Sequence, residues 1–116
     1  MEMERRLFVR FPMSGMVILQ ADMKDPATID CELFDIGLEG AGLYSPHNLL
    51  VDRVKFIIIN HQLGINLSGI ARVVFSKPAK YNDKDYFRVG LEFLEVGRDQ
   101  IRELLERVRE IPPGQR

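Results

Sequence analysis

Near residue 97 the hydrophobic pattern of the chain changes period, and that change limits the possible folds more than any other feature of the sequence. Upstream, apolar residues recur mostly every second position, in short runs separated by turn-forming residues. The runs span residues 8–20 (broken by Pro12 and Gly15), 29–33, 41–44, 54–59, 65–75 and 86–95. The clearest is the second, where Ile29, Cys31 and Leu33 alternate with Asp30 and Glu32. In the last, Phe87, Val89, Leu91 and Phe93 share one face. Residues 21–27 and 60–64 read as turns, and the polar stretch 76–85 reads as a long hairpin loop. Downstream, Ile101, Leu104, Leu105, Val108 and Ile111 fall on one stripe of an amphipathic helix. Arg102 with Glu106, and Glu103 with Arg107, form i,i+4 pairs on its wet side. Pro112-Pro113-Gly114 stops it.

Six strands followed by one helix predict an all-β fold, a small, mainly antiparallel β-barrel with the C-terminal α-helix packed across it. Closing the sheet removes the edges that six separate strands would expose. The organisation expected is one domain over residues 1–111, with a flexible arginine-bearing segment at 1–10, the helix at 98–111 and a disordered tail at 112–116. A chain of 116 residues has room for one such domain and needs no metal or disulfide to hold it. The formal net charge of −1 argues against duplex nucleic acid as a partner. No apolar run approaches the ~20 residues that span a bilayer. The N-terminus, MEMERR, carries two acids and no apolar stretch behind it, unlike a signal peptide. Together these point to a cytoplasmic protein.

Catalysis has little support. His47, His61 and Cys31 lack ligand spacing, and no phosphate loop, nucleophile elbow or metalloprotease motif is present. Surface histidines and a buried thiol are the simpler reading, so no enzyme activity and no cofactor are expected. Two features remain. Arg5, Arg6 and Arg10 place three guanidinium forks within six residues, suited to phosphate and to stacking on bases. The segment Asp35-Ile36-Gly37-Leu38-Glu39-Gly40-Ala41-Gly42 puts three glycines directly after a strand, where positive φ or a close backbone approach is possible. A carboxylate there can accept from the N1–H and N2–H₂ of guanine, while an arginine fork matches O6 and N7. The two features could therefore read complementary edges of one base.

Arg6-xxx-Arg10 followed by Asp35-x-Gly37-xx-Gly40 resembles the RxxxR and [D/N]xSxxG signature of PilZ domains, bacterial receptors for cyclic diguanylate. The resemblance covers nearly the whole chain and includes the Gly90-Leu91-Glu92-Phe93 segment and the terminal helix. It implies a split β-barrel that binds the dinucleotide through Arg5, Arg6, Arg10, Asp35, Gly37 and Gly40. Arg6 and Arg10 would contact guanine and phosphate, Asp35 a guanine edge, and Gly40 the turn beneath the ligand. Gly37 stands where the family usually has serine, so one hydroxyl contact is missing and the backbone N–H is left to substitute. Arg5, just before the motif, implies two ligand molecules per chain. The signal would pass to an unidentified downstream effector protein, from a monomer or a homodimer. Two alternatives remain: a PilZ-type adaptor that does not bind the dinucleotide, and a small barrel that binds single-stranded nucleic acid. The second is disfavoured by the inward placement of Phe87 and Phe93 and by the lack of tryptophan.

Overall fold

The computed structural model of the protein describes residues 10–21 and 27–116. Arg5 and Arg6, the rest of the segment at 1–9, and most of the expected turn at 21–27 lie outside the described residues. The six strands are β1 (Arg10–Gln20), β2 (Ile29–Gly37), β3 (Gly40–Ser45), β4 (Arg53–Asn60), β5 (Ile65–Tyr81) and β6 (Lys84–Glu95). They close into a barrel in the order β1-β2-β3-β6-β5-β4, with β4 pairing back onto β1 and every pair antiparallel. The sequence expectation of a closed six-stranded barrel with one terminal helix holds.

Period-two patterning supplies the core. Along β4, Val54, Phe56 and Ile58 point inward while Arg53, Lys55 and Ile57 face solvent. They meet Val17 and Leu19 of β1, Cys31, Leu33 and Ile36 of β2, and Val89 and Leu91 of β6. Phe56 is 1% exposed and stacks on Phe93 with ring centroids 5.1 Å apart. Removing a ring so enclosed typically costs about 3–5 kcal/mol. The spacing of the inward residues on β2 is not uniform. Cys31 and Leu33 are two apart, whereas Ile36 follows after three, because a bulge at Phe34 interrupts the register with β3. Its consequence is that Phe34 and Asp35 both face outward.

The helix α1 (Arg98–Arg109) buries Ile101, Leu104 and Val108 against β1 and β5, with Leu105 and Ile111 half-buried, as the sequence stripe predicts. Arg107 does not pair with Glu103; it donates to the Leu63 carbonyl in the β4–β5 turn. Asn60 organises that turn: its Nδ2 donates to the Ser14 carbonyl at 2.9 Å, and its Oδ1 accepts from the Leu63 N–H at 3.0 Å.

Two expectations need correction. Residues 76–85 are not a loop. β5 and β6 continue as a two-stranded ribbon to a two-residue turn at Asn82 and Asp83, whose φ angles of 52° and 62° are those of a type I′ hairpin. Pro78 is tolerated because β4 pairs only with residues 65–72 of β5, so the proline sits on a free edge. The C-terminus also differs from the expected disordered tail. Pro113–Gln115 form a 3₁₀ turn, and the Arg116 carbonyl accepts from the Ser14 N–H and hydroxyl at 3.2 and 2.9 Å. The Arg116 guanidinium donates to the Ile111 carbonyl and lies over the Phe11 ring.

Candidate functional site

The first and second strands bring the two sequence features together. Arg10 opens β1 opposite Gly37, and Asp35 sits opposite Pro12 on one side and Gly42 on the other. Arg10 Nη1 donates to Asp35 Oδ1 at 3.2 Å, and Arg10 Nε lies 3.6 Å from Glu39 Oε1. The Arg10 and Asp35 side chains retain only 17% and 16% of their exposure, so the pair is far better shielded than an ordinary surface ion pair. Nε is buried and makes no hydrogen bond. An unsatisfied buried N–H costs about 1–3 kcal/mol, so the fork is short of one acceptor.

A single row of cross-strand neighbours runs from this cluster across the barrel: Pro12, Asp35, Gly42, Gly90 and Phe75, on β1, β2, β3, β6 and β5 in turn. The two central glycines form a floor without side chains. A Cβ at Gly42 would come within 2.6 Å of Asp35 Oδ1 and of the Phe34 ring, and one at Gly90 would overlap the Phe75 ring. The floor is therefore roofed by two aromatic rings, with Asp35 and Arg10 at one wall. Lys77 lies over the Phe75 ring at 5.0 Å and Arg88 over Phe34 at 4.5 Å, so further cations flank it. The next row pairs Gly40 with Glu92 and Glu92 with Arg72, whose exposed ion pair spans 3.0 Å.

Of the two roles that the sequence allowed these glycines, left-handed φ and close backbone approach, the structure shows the second. Among the described residues the glycine with left-handed φ is Gly64, at 65°. Gly40 is needed instead for close approach, because a Cβ there would overlap the Leu91 carbonyl. The turn between β2 and β3 is held by a 2.8 Å bond from the Phe93 N–H to the Glu39 carbonyl, which fixes Glu39 beside Arg10.

Of the residues singled out from sequence, Arg10, Asp35, Gly37 and Gly40 meet at this end of the β1–β2–β3 face. Arg5 and Arg6 lie outside the described residues. Sequence reasoning missed Glu39, Phe34, Gly90 and Phe75 as parts of the same surface. Glu39 and Gly42 were inside the recognised segment, but the contribution of β5 and β6 depends on a pairing of β3 with a strand some forty-five residues away. It also missed an outward aromatic strip. Phe34, Tyr44, Tyr81 and Tyr86 form a chain of ring contacts, with Tyr44 and Tyr81 stacked at 4.5 Å.

His47 and His61 are exposed, and among the described residues no cluster of three or more metal-ligating side chains occurs. Burial pushes the Cys31 thiol up to about 11, which suppresses the thiolate that a nucleophile or metal ligand needs. No described helix is long and apolar enough to cross a membrane.

The model of the PilZ domain family matches residues 4–110. No curated protein matches the sequence significantly. Among solved structures, the PilZ domain of YcgR from Escherichia coli, with c-di-GMP, superposes with a TM-score of 0.70 at 19% identity, covering 90% of this chain and 88% of that one. The inhibitor of motility MotI/DgrA from Bacillus subtilis gives 0.67 at 18% identity, over 88% of this chain. PlzA from Borreliella burgdorferi, in complex with c-di-GMP, gives 0.55 at 12% identity, over 84% of this chain. This chain spans about half the length of the latter two, at 48% and 50%. The match to the family over nearly all the chain and the shared closed barrel lead to one conclusion: the protein belongs to the PilZ domain family.

Proposed function

We propose that the chain is a bacterial receptor for cyclic diguanylate, a signalling module and not an enzyme, acting in the cytoplasm. The observation that carries the reading is the Arg10 cluster: a shielded guanidinium hydrogen-bonded to Asp35 through Nη1, with a buried Nε–H short of an acceptor, at the edge of a glycine floor. A phosphate or guanine oxygen of the ligand would supply that acceptor. Asp35 would accept from the N1–H and N2–H₂ of a guanine held against the Arg10–Asp35 wall beside the two roofing rings. The YcgR domain and PlzA were solved with c-di-GMP, which supports the same ligand here.

Charge makes the N-terminal arginines part of this proposal. The described cluster has two carboxylates, Asp35 and Glu39, for one guanidinium. A dianionic dinucleotide needs the opposite sign, and Arg5 and Arg6 would reverse it. Gly37 and Gly40 complete the turn beneath the ligand. Ligand capture by residues 1–10 would then alter the surface presented to an effector protein.

The alternative reading, an adaptor that does not bind the dinucleotide, draws on Gly37 in place of serine and on the engagement of Arg10 by two acids. Isothermal titration with cyclic diguanylate separates the two. Binding that Arg10→Ala and Asp35→Ala each weaken, with the barrel intact by circular dichroism, supports the receptor. Absence of binding to the wild type supports the adaptor.

A further inference from the structure

A second concave surface lies on the other side of the β2 bulge. It is a groove of about 450 Å³ whose walls include Met16, Asp30, Glu32, Tyr44, Tyr81 and Tyr86. The β5–β6 ribbon leans over the barrel's outer face to build it, setting the Tyr81 ring almost parallel to Tyr44 at 4.5 Å and 19°. Tyr86 meets Tyr81 edge-on, at 5.7 Å and 76°. Met16 pairs with Glu32 and Glu32 with Tyr44 across neighbouring strands, so thioether, carboxylate and ring stand in one row.

The groove carries charge of one sign. Asp30 and Glu32 are both exposed, no described lysine, arginine or histidine lines it, and no described cation pairs with either acid. Glu32 already holds the Tyr81 hydroxyl and raises the pKa of that phenol. Acid next to π-faces is the environment that attracts a planar cation, which can stack on a ring and fork onto a carboxylate together. The same face shows this chemistry within the chain, where Arg88 stacks on Phe34 at 4.5 Å. Phosphate would be repelled by Asp30 and Glu32 at their end of the row, whereas Arg88 and Lys77 continue it beyond Tyr44.

We infer that this tyrosine-and-carboxylate groove is a docking site for an arginine-bearing segment of a partner protein. The guanidinium would lie on the Tyr81 side of the stacked tyrosine pair and form ion pairs with Glu32 and Asp30, while the aliphatic stem covers Met16. Phe34 touches Tyr44 on one side and stands over Gly42 on the other, so the groove and the Arg10 cluster share a wall.

The test uses the full chain, ¹⁵N-labelled and without dinucleotide, so its outcome is separate from the receptor reading. It is titrated with an acetylated, amidated heptapeptide carrying two arginines, and with counterparts bearing lysine or citrulline instead. The expected result is amide shifts confined to the neighbourhood of Met16, Glu32, Tyr44 and Tyr81. Citrulline should weaken binding at least about tenfold, with lysine between, because the charge-assisted fork is lost. Asp30→Asn with Glu32→Gln should remove the interaction without changing shape, and Tyr81→Ala should weaken it from the ribbon, away from the core. No shift at millimolar peptide, equal binding of the citrulline peptide, shifts outside the groove, or capture of an oligothymidine in it would each overturn the assignment.

Discussion

Adding one methyl group at either of two neighbouring glycines should damage two different properties of the protein. At Gly42 an alanine Cβ would fall 2.6 Å from Asp35 Oδ1 and 2.6 Å from the Phe34 ring, both ends of side chains that can swing away. The barrel should absorb the change within about 1 kcal/mol, the usual range for a strand position whose neighbours can yield. The displaced carboxylate, however, leaves Arg10 Nη1, now 3.2 Å away, and no longer faces the glycine floor. A hydrogen bond to a charged group contributes about 1.5–3 kcal/mol, so dinucleotide affinity should fall about 10- to 150-fold. At Gly40 the same methyl meets the Leu91 carbonyl, which is backbone inside the β3–β6 pairing and cannot turn aside. Overpacking of this kind costs about 1–3 kcal/mol of stability. Urea denaturation and titration calorimetry on both variants separate the outcomes. A Gly42→Ala protein that binds within twofold of wild type, or a Gly40→Ala protein as stable as wild type, would refute this geometry.

Gly37→Ser restores the hydroxyl usual in the family, and since Gly37 has no left-handed φ, binding should tighten modestly in calorimetry without loss of melting temperature. Arg5→Leu should lower the titration endpoint from two cyclic diguanylate molecules per chain towards one while sparing the first event, because a stacking guanidinium plane worth about 1–3 kcal/mol is removed. Cys31 keeps its proton in the folded state to about pH 11, above its ordinary value of 9.0. Its contribution to stability is therefore complete below pH 9 and lost as the pH rises towards 11, a decline that Cys31→Ala should flatten in pH-dependent denaturation.

The barrel was legible wherever one face of a strand is buried and the other wet, as in Ile29, Cys31 and Leu33. The ribbon beyond Phe75 was not. It projects from the core, so lysines, a proline and aspartates can occupy both its faces, and composition alone reads as loop. Tyr81 and Tyr86, on the two strands either side of the Asn82-Asp83 turn, were the overlooked sign of a short hairpin. At the site, Arg10 and Asp35 were recognisable by their chemistry, and the structure sets them in contact. Glu39 was visible but unassigned, since its approach to Arg10 depends on the bond from Phe93 that pins its turn. The Phe34 bulge shifts the alternation of β2 by one residue, which no period-two reading anticipates.

Calorimetric titration of the wild-type chain beside Arg10→Ala and Asp35→Ala decides whether Arg10 and Asp35 form one face of a cyclic diguanylate site. Saturable binding to the wild type is expected, with a loss of at least about 2 kcal/mol in each variant, roughly thirtyfold in Kd, and unchanged circular dichroism. Saturable binding that survives both substitutions at wild-type affinity would place the ligand elsewhere, and no binding to the wild type at all would contradict the receptor function itself.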